Sequence, residues 1–254
     1  MSSWSECVLG LAEVRGRRPA ITEAARRGVL TYDRLGGMVT RAALGISRRG
    51  LRPGDRVVVN VSPGSYLPVA VHTVAAAGGV VVLVPVTLHG ADLRARLTRS
   101  TARMMITDSK TSIADAADSR LRQIFTFGLE VGATPFIDLL GDGESGFAQN
   151  GGLAGENDMV QPGEEVLAGL RAYAERAPLS GEDVVLVSVT DPYVLCRAYD
   201  LALSVGAHVV AAPAATPVDC LLLAEEFRVT AAVVPAEVSA AFGDLRAPRL
   251  LPPF

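Results

Sequence analysis

The sequence predicts an α/β protein built as two similar α/β halves, each with a mostly parallel sheet flanked by helices. Three observations carry that prediction. Residues 57–61 and 80–84 are short, uncharged, valine-rich runs, the pattern of strands buried on both faces of a helix-covered parallel sheet. The roughly 12 residues between them are long enough for the crossover helix of a right-handed βαβ unit. The same alternation of strand and helix then recurs on both sides of one acidic, Gly-rich segment at 141–164.

The first half, residues 1–140, opens with a helix over 4–15, where Trp4, Val8, Leu11 and Val14 fall close to helical spacing and Pro19 ends the run. Residues 20–22 and 29–31 read as a hairpin, and Thr31 caps a helix over 32–49 that Gly50 stops. The central βαβ unit follows: strand 57–61, the turn Ser62-Pro63-Gly64-Ser65, a long Ala/Val helix, Gly78-Gly79, and strand 80–84 closed by Pro85. Helices over 91–99 and 113–122 alternate with strands over 103–107 and 124–127, and 136–140 is a short apolar segment. Residues 141–164 read as a loop. The second half, residues 165–245, is expected to hold helices over 165–177, 193–205, 218–227 and 236–242, with strands over 184–189, 208–211 and 231–234. Residues 246–254, with three prolines, read as a tail.

Composition narrows the function. With 254 residues, 49% hydrophobic and 20% charged, the chain is globular, and its net charge of −3 gives no reason to expect nucleic acid. The charge is uneven: residues 1–56 hold 11 Arg against 5 acids, while 128–191 hold 12 acids against 2 Arg. Such asymmetry either steers a partner or reflects solvated faces. Lys110 is the only lysine. Cys7, Cys196 and Cys220 are odd in number and widely spaced, so neither a disulfide framework nor a metal site is expected. His72, His89 and His208 read as packing or capping residues. Glu6 and Glu13 flank the first apolar run and no basic segment precedes it, unlike a signal peptide. The uncharged stretch 57–91 is cut by turns into pieces too short to span a bilayer, so no membrane span and a cytoplasmic location are expected.

Several segments, in order, resemble the N-terminal domain of the adenylate-forming enzymes, the acyl- and aryl-CoA ligases and related adenylation domains. Leu30-Thr31-Tyr32-Asp33-Arg34-Leu35 resembles the family's Leu-Thr-Tyr-x-Glu-Leu opening, and Gly50-Leu51-Arg52-Pro53-Gly54-Asp55-Arg56-Val57 is similar to its Gly-Leu-x-x-Gly-Asp-x-Val strand entry. The Gly78–Val86 segment and Arg103–Asp108 resemble the next core segments, and 182–186 and 205–210 resemble those flanking its acceptor-pocket helix. The resemblance covers most of residues 20–240. It implies an enzyme class that activates a carboxylate with ATP and Mg²⁺ and passes the acyl group to a thiol.

That chemistry needs a loop whose backbone and hydroxyls cradle phosphates, with a lysine to neutralise them. The family's loop reads Ser-Gly-Thr-Thr-Gly-x-Pro-Lys-Gly-Val-x-x-Thr-His. Anchored on Val166-Leu167-Ala168, it falls on Asn150 to Gly163, so Gly151 is kept, the threonines become Gly152 and Leu153, the lysine Asn157, the next glycine Asp158 and the histidine Gly163. Glu156, Asp158, Glu164 and Glu165 bring negative charge there, and like charges a few ångströms apart repel by about 1 kcal/mol even in water. Asp191-Pro192-Tyr193-Val194 meets the family's Pro-Leu-Phe-His, and Lys110 matches neither family lysine. The chain also stops about halfway through the family pattern, and so reads as truncated.

Two other places are candidates. Ser62-Pro63-Gly64-Ser65 lies where open α/β sheets bind anions, or is an ordinary helix cap with Ser65 as its Ncap residue. Asp191, Pro192 and Tyr193 line a remnant acyl pocket, or form a turn with core packing. No catalytic residue, metal site or cofactor is expected. The expected role is a non-catalytic, degenerate relative that binds a protein partner, a second copy or a small acyl or aryl ligand. The alternative is a subunit of a split ligase completed by another chain.

Overall fold

The computed structural model describes residues 3–141, 151–155, 159–242 and 248–252. In chain order the elements are α1 (Trp4–Leu9), α2 (Ala12–Arg15), β1 (Pro19–Glu23), β2 (Gly28–Thr31), α3 (Tyr32–Arg48), β3 (Arg56–Asn60), α4 (Tyr66–Ala76), β4 (Val80–Leu83), α5 (Gly90–Ser100), β5 (Met104–Thr107), α6 (Lys110–Asp115), β6 (Gln123–Thr126), β7 (Thr134–Pro135) and a 3-10 turn (Phe136–Leu139). There follow β8 (Gly152–Ala154), β9 (Val160–Pro162), α7 (Gly163–Arg176), β10 (Val184–Val187), α8 (Pro192–Val205), β11 (His208–Ala211), α9 (Pro217–Glu226), β12 (Ala231–Val233), α10 (Ala236–Phe242) and β13 (Arg249–Leu250). The chain forms two compact units, each around one mostly parallel sheet.

The first unit comprises Met1–Cys7, Gly37–Ser62 and Tyr66–Ala168. Its sheet has the order β7-β6-β5-β3-β4-β8-β9, parallel throughout except for the β8–β9 pair. Val58, Val82 and Met105 pack on one face against Leu93 and Leu97 of α5 and against Ala116. Val57 and Val59 point the other way by alternation and are equally buried, so both faces are covered. Every residue of α4 from Leu67 to Ala76 is buried, which is why this helix is uncharged all round.

The second unit comprises Val8–Gly36, Pro63–Ser65 and Gly169–Phe254. Its sheet runs β13-β12-β10-β11-β1-β2, parallel except for β1–β2, and Leu186, Val210, Ala232, Val238 and Phe242 form a core cluster of it. The expected two-sheet α/β architecture is therefore present.

Three expectations change. The hairpin β1–β2 is expected in the first half, residues 1–140, yet β1 pairs in parallel with β11, Ile21 beside Val209, because a strand's partner is set by tertiary contact and not by sequence neighbours. The single helix over 4–15 is two, interrupted at Gly10, a residue costly inside a helix. The 246–254 tail contributes β13, whose Arg249 and Leu250 pair with Ala231 and Ala232.

His208 gives the second unit a pH dependence. Its Nε2 lies 2.8 Å from Thr22 Oγ1, and burial holds its pKa below the ordinary imidazole value. An unfolded chain therefore takes up a proton, as pH falls below about 6.5, that the folded chain does not. This contribution is complete above the unfolded pKa and is lost as pH falls towards the folded one. The thermal midpoint is expected to drop between about pH 7.5 and 5.5, with part of that slope absent in His208→Gln.

Candidate functional site

The carboxyl ends of the strands in the first unit are where an open parallel sheet offers a binding crevice. Here their polar groups are turned to one another. Asn60 is fully buried at the end of β3; its amide donates to the carbonyls of Val84 (3.3 Å) and Pro85 (3.0 Å) and its Oδ1 accepts from Thr107 Oγ1 (3.0 Å). Asp108 Oδ1 accepts from Ser62 N–H at 3.0 Å. Beside them Tyr66 stacks on Phe127 and Phe127 on Phe136, with ring centroids 4.2 and 4.3 Å apart. These contacts tie the loops after β3, β4, β5 and β6 together.

The Ser62-Pro63-Gly64-Ser65 turn holds an anion, and the chain itself supplies it. Glu23, the last residue of β1, accepts at Oε1 from Ser65 N–H (2.8 Å) and Ser65 Oγ (2.5 Å). A Cβ built on Gly64 would stand 2.9 Å from the same oxygen. The Ser65 hydroxyl, expected as a helix cap, donates to this carboxylate. Sequence reasoning missed Glu23 because the contact spans 42 positions.

Residues 141–164, expected as a loop, contain a hairpin: Gly152 pairs with Pro162, Leu153 with Gln161 and Ala154 with Val160. Val80, Val81 and Val82 on β4 hold the other side of β8. Of the expected loop positions, Gly152 and Leu153 are thus strand residues, with Leu153 fully buried, and Asn150, Asn157, Asp158 and Glu156 lie outside the described residues. Gly151 precedes β8 in a close approach: a Cβ there would lie 2.5 Å from Ala75 Cα, 2.6 Å from Ala75 O and 2.7 Å from Gly79 O. Gly163, where the family resemblance has histidine, would put a Cβ 2.5 Å from Gly151 O. Glu164 and Glu165 occupy the first turn of α7, where carboxylates are favoured by the helix dipole. From residue 141 to 164 the sequence has no Lys, Arg, His or Thr.

In the second unit Asp191 is the Ncap of α8; its Oδ1 accepts from Tyr193 N–H (2.9 Å) and Val194 N–H (2.8 Å), and Pro192 takes the first helical turn. The side chain is engaged as a cap, and burial raises the Tyr193 hydroxyl pKa. Cys196, one turn on, is buried, and desolvation pushes its thiol far up, the opposite of a nucleophile. Cys220 is buried and raised by the same cause, whereas Cys7 is partly exposed. A water-soluble thiol reagent should label Cys7 alone in the native protein and all three after denaturation. Rapid native labelling of Cys196 would contradict its packing role. Among the described residues no cluster of His, Cys, Asp and Glu could hold a metal, and no helix is long and apolar enough to cross a membrane.

A family model described as AMP-binding enzyme matches residues 11–190. No curated protein matches the sequence. Among solved structures, a benzoate CoA ligase from Burkholderia xenovorans LB400 superposes with a TM-score of 0.79 at 21% identity, over 98% of this chain and 53% of that one. A long-chain-fatty-acid-CoA ligase from Archaeoglobus fulgidus gives 0.76 at 17% identity over 90% and 50%, and apo MbtA from Mycobacterium smegmatis gives 0.74 at 22% over 91% and 47%. At these identities the likeness is one of fold. The chain spans about half the length of these structures.

Proposed function

The chain belongs to the AMP-binding enzyme family, and we propose that it is a non-catalytic member acting by binding a protein partner or a small acyl or aryl ligand. The observation that carries this reading is the 141–164 segment, which has no basic residue and no threonine where the family resemblance expects a phosphate cradle. The described residues do not fit ATP·Mg²⁺. Leu153 is a buried strand residue, Gly151 and Gly163 are packed too closely to admit a side chain, and Glu164 and Glu165 put two carboxylates at the head of α7. A triphosphate there would meet like charge with no cationic side chain from 141–164 to compensate it. Calorimetry with ATP·Mg²⁺ tests the proposal. No saturable heat is expected in the micromolar range, and micromolar binding at this hairpin overturns it.

A second reading starts from the family match over residues 11–190 together with a 141–164 segment that has no basic residue of its own. In it the chain is one part of a divided ligase, and other polypeptide supplies the groups that activate the carboxylate. Carboxylate-dependent pyrophosphate exchange that appears only on adding a co-purifying protein would select this reading. Absence of exchange with every such protein would remove it.

A further inference from the structure

We propose that the first unit carries an anion-binding groove on the amino-terminal side of its sheet, built by Arg103, Arg120 and Arg122, for a compact phosphate-bearing small molecule. The groove encloses about 340 Å³, and Arg103, Arg120, Arg122, Thr98, Thr101 and Ser119 line it. No acidic side chain is among its described lining residues. It lies at the end of the strands opposite to the Asn60–Thr107 contacts, since Arg103 and Arg122 immediately precede β5 and β6.

The register makes the grouping of charge specific. Met104 pairs with Gln123, and Arg122 N–H donates to the Arg103 carbonyl at 2.7 Å, so the two arginines stand on neighbouring strands one position ahead of the ladder. Adjacent strands lie about 4.8 Å apart, and like charges directly across a ladder are destabilising. Arg120 joins them across the turn in which Leu121 N–H donates to Ser119 Oγ. In the same unit Arg94 lies 3.8 Å from Asp115 and Lys110 3.9 Å from Glu130. Among the described residues, Arg103, Arg120 and Arg122 have no carboxylate within 4.0 Å. The fold thus places three arginines along one groove that has no acidic side chain among its described lining residues. Guanidinium forks match phosphate oxygens two at a time, and the hydroxyls add donors without charge. A groove of this size is at the small end of ligand sites, which suits a phosphate or diphosphate head with a small attached group.

Titration of the isotope-labelled protein with inorganic diphosphate, followed by the backbone amides of residues 98–103 and 119–123, tests this. Saturable shifts confined to those amides are expected, weakening with added salt because the site is exposed. Arg103→Gln and Arg122→Gln are each expected to weaken binding about tenfold. Both variants replace exposed side chains, and their thermal midpoints should equal or exceed the parent's as repulsion is relieved. Inorganic phosphate and a sugar phosphate as separate probes tell a bare anion site from one that also reads the attached group. The proposal is overturned if diphosphate causes no saturable shift up to ~10 mM, or if the shifts persist unchanged in the Arg103→Gln/Arg122→Gln double variant. The same double variant separates this groove from the β8–β9 hairpin. Heat from ATP·Mg²⁺ that vanishes with the two arginines belongs here, whereas heat that persists counts against a non-catalytic hairpin.

Discussion

Gly151→Ala is expected to destabilise the protein by about 3 kcal/mol and to lower its thermal midpoint by roughly 6–12 °C, at the upper end of what overpacking costs. The new methyl would stand 2.5–2.7 Å from three backbone atoms, two of Ala75 and one of Gly79, and backbone cannot swing aside as a flexible side chain can. The amide of Gly152 also donates to Gly79 O at 3.1 Å, so backing β8 away would strain a ladder that continues through Val80, Val81 and Val82. Gly152→Ala is the control. Its nearest atoms are Gln161 O at 3.0 Å and the Val160 methyl at 3.3 Å, a side chain that can yield, and about 1 kcal/mol is expected. Chemical denaturation of the two variants measures the contrast. Equal, small effects would mean that Gly151 is not held by packing and would return it to the set of ligand-contacting candidates. The expected large effect assigns Gly151 to backbone proximity.

What was legible in the sequence follows the range of the interactions that fix it. β3, α4 and β4 could be read directly because burial on both faces forces an unbroken run of uncharged residues, and that constraint is local. The α8 cap was readable for the same reason, Asp191 and Pro192 standing just ahead of the apolar periodicity. The β8–β9 hairpin was not. Its strands are Gly-Leu-Ala and Val-Gln-Pro, whose composition indicates a loop, and they are strands only because β4 presents a free edge. The sheet to which β1 and β2 belong was equally hidden, since Ile21 and Val209 meet only in the fold. For the site, the residue types between 141 and 164 were visible from the start. The structural duties of Gly151 and Gly163 were not, because a close backbone approach leaves no mark on the sequence beyond glycine itself.

Glu23→Ala is expected to cost about 2 kcal/mol, or roughly 4–8 °C in thermal midpoint, because a carboxylate accepting two hydrogen bonds leaves both donors stranded when it is removed. Its side chain is only 16% exposed, so water reaches the vacated donors poorly, while the Arg26 guanidinium 3.9 Å away is largely in solvent and contributes little. Glu23→Gln keeps an acceptor oxygen without the charge and should fall between the two. A second readout separates charge from packing. The amide and hydroxyl of Ser65, immediately before α4, are held by a carboxylate at the kind of helix start that takes external anions in other α/β proteins. With that carboxylate gone, sulfate at ~50 mM should restore part of the lost stability to Glu23→Ala by ordinary linkage and do nothing comparable for the parent protein. Equal responses of the two would show that Glu23 only fills space. A selective response would make Glu23 of β1 a built-in anion for the Ser65 amide and hydroxyl, occupying the donors that an external anion would otherwise take.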